Sequence, residues 1–445
     1  MNLKSIKEIF RYPTVIAGSI IIAILIGIAV YAVISIPYDK AITLWRGSEA
    51  DWYKNPKNAG PVWYNWFRKD KLPETIDLIS DSETVTREVK DAGDGRVIIF
   101  TMPITYDYDG FPDDMALYFK STYEEKPPFI GLSWIGPDGE ETRLNNFEIK
   151  NRFTYRLDQD RKITRKLGGR VASVGLFANP KDKDSKTPIH GDYKLKIEAV
   201  TFDKSSDLTA EWVIYGKLAG WAGTDHLRRD LGIALLWGTP IALAFGLLAA
   251  VGTSLTQMII AAFSAWFGGW VDTLLQRITE INLVLPFLPI LIMIGTFYSR
   301  SIFVILSAVI LLSLFGQGVK TFRAVLLQVK ESAYIEAARS YGASSGRIIF
   351  SYMIPRLIPL LIPQFIVLIP SYVFLEASLA ILGLGDPTLP TWGKIIQDAE
   401  SQGALYQGWY YWVLEPSVLL MITGLAFSVI GYALDRVFNP RLRGQ

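Results

Sequence analysis

With 445 residues and a net charge of only +2, the chain has no global electrostatic basis for binding nucleic acid. The absence of cysteine excludes disulfides, thiol catalysis and cysteine-ligated metals. The only histidines, His190 and His226, lie far apart in polar segments and offer neither a metal centre nor a catalytic triad. Apolar residues make up 50% but gather in long blocks separated by charged sequence, the pattern of bilayer-spanning segments beside water-exposed ones.

The first apolar block, Thr14 to Ile36, carries no charge over about 23 residues, enough to cross about 30 Å of hydrocarbon as a helix. Lys4, Lys7 and Arg11 precede it. A secretory signal would have a shorter apolar core followed by a small-residue cleavage site, whereas Ile36-Pro37-Tyr38-Asp39 follows here. The expectation is a retained helix with its N-terminus in the cytoplasm.

From 37 to 217 the sequence turns charged and turn-rich. Strand-like runs are predicted at Arg96–Met102, Met115–Phe119, Phe129–Ile135, Arg170–Phe177, Tyr193–Phe202 and Trp212–Tyr215. Asp109-Gly110, Pro137-Asp138-Gly139 and Asn179-Pro180 separate them. An extracytoplasmic, mainly β domain is expected, a sandwich in its simplest form. Its first stretch is rich in aromatics: Trp45, Trp52, Tyr53, Trp63, Tyr64, Trp66 and Phe67. Stacking on a sugar or peptide is one reading; an aromatic belt at the membrane interface, or core, is preferred.

Beyond about residue 230 spans are expected at Ile241–Phe263, Ile278–Phe297, Ile302–Val319, Pro359–Ile381 and Trp412–Leu434. Lys320, Arg323, Lys330, Arg339, Arg347 and Arg356 crowd one connection, and Arg436, Arg441 and Arg443 the C-terminal tail. The alternate connections hold only Arg300 and Lys394. Positive charge thus collects on the side of the N-terminus, and six spans with both ends cytoplasmic are self-consistent. Pro240, at the start of the first of these spans, and Gly246, Pro286, Pro289, Pro363 and Pro370 within them read as kinks of a moving pathway or as packing bends.

The basic connection (321–356) holds the most informative motif: Ser332, Glu336-Ala337-Ala338, Gly342-Ala343-Ser344, Arg347 and Ile354-Pro355. Ser332 can cap a short helix with Glu336 on its second turn, and the two alanines leave a closely approachable surface. Gly342 allows a left-handed exit, and Ser344 can cap a second helix ending before Pro355. The product is a cytoplasmic helix–turn–helix knob. The bland alternative is a polar loop in which Glu336 pairs with Arg339 at i,i+3.

This spacing resembles the coupling loop of ABC importer permeases, with Tyr352 and Ile354 departing from the usual Ile and Leu. Gly223-Thr224-Asp225 with Arg229-Asp230 is similar to a signature of the dipeptide/oligopeptide (peptide/nickel) permease family, Arg228 replacing the usual Gly. Phe267-Gly268-Gly269-Trp270-Val271-Asp272 also fits, as do Glu376 to Gly385 (Gly383 and Gly385 included), Trp392-Gly393 and Leu434 to Arg441. The resemblance covers 1–36 and 218–445 and does not extend to the insert.

What the resemblance implies is an ABC importer type I permease fold: a polytopic α-helical membrane protein of six transmembrane helices. It divides into 1–36, the insert 37–217 and the permease portion 218–445. Its partners would be two cytoplasmic ABC ATPase subunits, a second homologous permease and an extracytoplasmic solute-binding protein. This chain would bind no cofactor, and ATP and magnesium would belong to the ATPases. Its own Gly-Lys pairs, Gly216-Lys217 and Gly393-Lys394, lack the rest of a phosphate-binding loop. No catalytic or metal site is expected. Glu376, ionisable near the outer end of the fifth span, is a pathway candidate or a buried partner of a donor. Peptides are the preferred substrate, with oligosaccharides or metal chelates as alternatives. A membrane-anchored receptor whose β domain binds ligand is the competing class.

Overall fold

The computed structural model describes residues 13–93, 95–124, 126–179 and 186–438, with backbone alone from 435 onward. Lys4, Lys7, Arg11, Arg441, Arg443 and the Asn439–Arg441 end of the C-terminal motif lie outside the described residues. So do Pro180 and the side chains of Asp435 and Arg436. The chain forms two compact units, Met1–Arg46 with Ile233–Gln445, and Gly47–Gly232. The segment 218–232, read from sequence with the permease portion, therefore packs with the β unit.

In the helical unit, α1 (Pro13–Ser35) and α2 (Tyr38–Arg46) precede α3 (Leu231–Phe267), which begins at the last residues of the β unit. There follow α4 (Gly269–Val284), α5 (Phe287–Phe297), α6 (Ile302–Ser313), α7 (Gln317–Lys330), α8 (Ala333–Ser340), α9 (Ile358–Leu379), α10 (Trp392–Ser401) and α11 (Tyr410–Phe438). Among the described residues four apolar helices are long enough to cross a bilayer: Pro13–Ser35, Leu231–Phe267, Ile358–Leu384 and Tyr411–Leu434. The span expected at Ile241–Phe263 is the middle of a 37-residue helix.

Two expected spans are not single helices. Ile278–Phe297 breaks between α4 and α5 with a 74° bend. Leu285 precedes Pro286 and takes the extended conformation (φ −64°, ψ 136°) that a following proline imposes. Ile302–Val319 likewise breaks between α6 and α7, bent by 46°. Counting each bent pair as one gives six spans.

Small residues set the helix packing. A Cβ on Gly18 would lie 3.1 Å from the Ala426 carbonyl oxygen, joining α1 to α11. One on Gly246 would lie 2.8 Å from the Ile369 carbonyl oxygen, joining α3 to α9. Gly246 is thus a close-approach position of the kind that brings membrane helices together.

The β unit is a sandwich of two antiparallel sheets. Its strands are β1 (Ile76–Ile79), β2 (Thr86–Ala92), β3 (Gly95–Tyr106), β4 (Asp114–Thr122), β5 (Phe129–Ile135), β6 (Glu141–Glu148), β7 (Arg152–Arg156), β8 (Gly191–Val200) and β9 (Asp207–Tyr215). The sheet orders are β1-β9-β4-β7 and β2-β3-β8-β5-β6. Period-2 alternation turns Ile98, Phe100, Met102, Ile104 and Tyr106 of β3 inward, beside Tyr193, Leu195, Ile197 and Ala199 of β8. Trp134 of one sheet meets Trp212 of the other edge-on at 5.8 Å, in the middle of one shared core.

Arg170–Phe177, expected as a strand, instead contains the helical turn Ala172–Gly175. The Asp158 carboxylate accepts the Ser173 amide at 2.7 Å and holds this turn, and Ala172, Leu176 and Phe177 enter the core. Of the early aromatics, Trp45 is buried in the helical unit, while Trp66 and Phe67 stand exposed on the β unit.

Candidate functional site

The knob forms as a helix, turn and second helical stretch. Ile335 and Ala338 of α8 are buried, while Glu336, Ala337 and Tyr341 point outward. Gly342 has φ +76°, and the Ala343 amide bonds the Ala338 carbonyl at 3.0 Å while the Gly342 amide bonds Arg339 at 2.9 Å. This is the paired closure of a Schellman C-terminus, which requires the left-handed residue that glycine supplies. Ser344 caps the next stretch by accepting the Arg347 amide at 3.4 Å. That stretch runs through a widened turn, Ile348–Met353, to a tight turn, Ile354–Arg356, that contains Pro355.

Two details differ from expectation. Ser332 does not cap α8, because its hydroxyl donates back to the Val329 carbonyl. Glu336 falls in the first turn, since the helix starts at Ala333. Nor does Glu336 pair with Arg339, whose guanidinium lies 4.5 Å over the Trp266 ring.

The knob is keyed to the spans by one apolar cluster. Met258, Ala262 and Trp266 of α3, Phe322 and Leu326 of α7, Ile335 and Ala338 of α8, and Met353, Leu357 and Leu361 meet there. Lys330 donates to the Ala265 and Trp266 carbonyls at 2.9 and 3.0 Å, satisfying the end of α3. Asp272 takes a two-pronged contact from Arg323, with Nε at 2.6 Å, which ties α4 to α7. The Phe267–Asp272 motif is therefore the turn that carries this clasp. Trp266 and Lys330 were missed as site residues because their partners are far away in sequence; their only signal was a basic residue ending a helix.

The other motif positions are structural locks. Trp392 is fully buried and donates Nε1–H to the Leu235 carbonyl at 3.0 Å. Gly393 touches α9 so closely that a Cβ would lie 2.6 Å from the Ala377 Cα. Gly383 and Gly385 turn the chain out of α9, and a Cβ on Gly385 would meet Ala380 at 2.8 Å. Glu376 is buried in α9, with the Thr391 side chain as its hydrogen-bonding neighbour.

Within the β unit, Gly223 accepts the Leu231 amide at 3.1 Å. Thr224 donates to the Pro56 carbonyl at 2.8 Å and accepts the Ala59 amide at 3.0 Å. Asp225 accepts Nε and the amide of Arg229 at 2.5 and 2.8 Å, fully buried. Asp230 accepts the Gly232 amide at 2.8 Å, capping the start of α3.

A cavity of about 490 Å³ opens at the two helix breaks, lined among others by Gln257, Asn282, Gln317, Thr321, Gln364 and Tyr372. None of its lining residues is acidic or basic, and Glu376 is not among them. Gln257 Nε2 donates to the Ser313 carbonyl at 2.6 Å, and Asn282 Nδ2 to the Leu312 carbonyl at 3.0 Å. Side-chain amides thus satisfy the carbonyls freed where α6 breaks from α7, as irregular backbone at membrane depth requires.

Long and broken apolar helices around an uncharged cavity, with a helical knob packed against them, are the build of a multi-pass membrane protein. The chain belongs to the family of binding-protein-dependent transport system inner membrane components, which residues 257–444 match. It is 30% identical over 225 residues to the oligopeptide transport system permease protein OppC of Bacillus subtilis, covering 50% of this chain and 72% of that one. Over 224 residues it is 29% identical to the dipeptide transport system permease protein DppC of the same organism, covering 50% and 69%. Over 226 residues it is 28% identical to the glutathione transport system permease protein GsiD of Pectobacterium atrosepticum, covering 51% and 74%.

Proposed function

We propose that this chain is one of two homologous permease subunits of an ATP-driven importer, moving peptides or related small solutes delivered by an external binding protein. Two cytoplasmic ATPase subunits bind ATP and magnesium and engage the knob through Glu336, Ala337, Ala338 and the turn Gly342-Ala343-Ser344, with Arg347 and Pro355 closing its second half. The observation that carries this reading is the knob's construction: an exposed face on α8 whose buried face belongs to the same apolar cluster as α3, α7 and the start of α9. A push on such a knob moves several spans as a body.

In this reading both termini are cytoplasmic and the β unit is extracytoplasmic, consistent with the basic connection that carries the knob. Broken helices lining a polar cavity are a common construction for solute sites in transporters, which supports the cavity as part of the pathway. Its lining mixes uncharged amides and hydroxyls with leucine, isoleucine and phenylalanine side chains, which suits solutes that combine peptide-like hydrogen-bonding groups with apolar ones. Motif positions Gly223, Thr224, Asp225, Arg229 and Asp230, with Gly383, Gly385, Trp392 and Gly393, hold the scaffold. Buried Glu376 fits a role in seating α10; uptake unchanged in Glu376→Gln would remove it from the pathway.

The test is purification from the native membrane in mild detergent, in parallel with Glu336→Lys and Gly342→Pro. Co-purification of ATPase subunits and a second permease, weakened in both variants, is expected. Recovery of the chain alone, under conditions that preserve other membrane complexes, overturns the reading.

A further inference from the structure

The β unit carries an aromatic tip whose placement is fixed by hydrogen bonds. Val62–Trp66 forms a tight turn in which the Val62 amide donates to the Gly220 carbonyl at 2.9 Å. Trp63 Nε1 donates to the Trp221 carbonyl, also at 2.9 Å. The Trp63 ring meets Phe67 edge-on at 6.3 Å. Held in this way, Trp66 and Phe67 are 80% and 82% exposed, among the most exposed large apolar side chains of the unit.

The tip adjoins the beginning of a membrane span. The Trp221 indole lies against Gly232, where an added Cβ would sit 2.5 Å from its Nε1. Gly232 is the second residue of α3, an apolar helix long enough to cross a bilayer. Trp221 is itself half exposed. The chain then continues as Arg68, Lys69, Asp70 and Lys71, all exposed. Among the described residues neither Arg68 nor Lys69 makes an ion pair, and Lys71 only approaches Asp107 at 3.8 Å.

Exposed tryptophan and phenylalanine beside unpaired cations match the headgroup layer of an anionic bilayer: the rings sit among glycerol and upper acyl carbons, and the cations meet phosphates. We propose that the Trp63–Lys71 turn is an interfacial anchor that inserts Trp66 and Phe67 into anionic phospholipid, fixing the β unit at the bilayer surface. The β unit ends at Gly232, where the chain runs directly into an apolar helix long enough to span a bilayer, and this tether to a membrane favours lipid over a protein partner.

The absence of cysteine makes a direct test clean. Phe67→Cys and, as a control on the exposed edge strand β2, Val89→Cys are labelled with an environment-sensitive fluorophore in the full chain. The labelled proteins go into vesicles of phosphatidylcholine with or without phosphatidylglycerol, containing a lipid with a shallow nitroxide. The proposal expects several-fold stronger quenching at 67 than at 89, deepened by phosphatidylglycerol and reduced in an Arg68→Ser, Lys69→Ser background. Equal quenching at both positions overturns it. So does a label at 67 that is shielded only when a solute-binding protein is added.

Discussion

Arg339 lays its guanidinium over the indole of Trp266, 4.5 Å from the ring centroid. The contact joins the outward part of α8 to the end of α3, beside the carbonyls that Lys330 satisfies. A cation over an aromatic face contributes about 1 kcal/mol at a partly exposed site. Arg339→Ala is therefore expected to leave the fold intact and loosen the knob. In a reconstituted complex the ratio of solute-stimulated to basal ATP hydrolysis should fall, and Trp266→Phe should fall less than Trp266→Ala. A ratio unchanged in all three variants would show that this stacking transmits nothing.

What the sequence made legible depended on local chemistry. β5 stood out as an apolar run closed by the turn signal Pro137-Asp138-Gly139, and the structure has it at Phe129–Ile135. β2 was missed because every residue in it is exposed, so no alternation marks it. The break at Leu285–Pro286 was visible as a proline but read as a kink within one span, since composition alone does not report a 74° bend. The left-handed exit at Gly342 was legible from spacing. Trp266, Lys330 and Arg323 became site residues only through contacts that span long stretches of chain, which no local pattern encodes.

Gly238 and Trp392 give a packing test. The indole lies on Gly238 so closely that a Cβ would sit 2.3 Å from its Cδ1, and the ring is fully buried. Gly238→Ala must displace a tryptophan that also holds the Leu235 carbonyl, at a cost of about 1–3 kcal/mol. Gly27→Ala in α1 meets nothing within 4 Å and is the natural control. Thermal unfolding in detergent should show a clear drop for Gly238→Ala and none for Gly27→Ala; equal midpoints would contradict the packing.

Arg228 has a φ of +67°, in the left-handed region that favours glycine. A side chain in the left-handed region costs about 1–2 kcal/mol. Here the guanidinium lies 4.6 Å from the Tyr215 ring centroid and Nη1 donates to the Asn55 carbonyl at 2.5 Å, offsetting that cost. Arg228→Ala keeps the strain and loses both contacts, whereas Arg228→Gly loses the contacts but relieves the strain. The expected order of unfolding midpoints is Arg, then Gly, then Ala, with Gly above Ala by about 1 kcal/mol. The reverse order of the last two would mean that the backbone is not held left-handed.

Glu211 supplies a pH test. It accepts the Tyr53 hydroxyl at 2.8 Å and Lys54 Nζ, while Lys54 also reaches Asp77 at 2.9 Å. Burial by itself pushes the Glu211 carboxyl up, but the Lys54 and Tyr53 donors outweigh it and hold it below its ordinary value. Burial, then the bond to Glu211, pushes Tyr53 up to about 12. A carboxyl depressed on folding contributes stability that is present above its unfolded value and lost as pH falls through the folded one. Lys54→Met should cost about 1 kcal/mol at neutral pH, a modest figure because the lysine side chain is 42% exposed. The gap between wild type and variant should close as the solution is acidified through and below the ordinary carboxylate range, because the wild type then loses what Lys54 supplied. Tyr53→Phe should give a smaller gap with the same pH dependence. Unfolding midpoints measured from neutral to acid pH decide it: a gap that stays constant would mean that Lys54 acts by packing its aliphatic stem and not through the Glu211 charge.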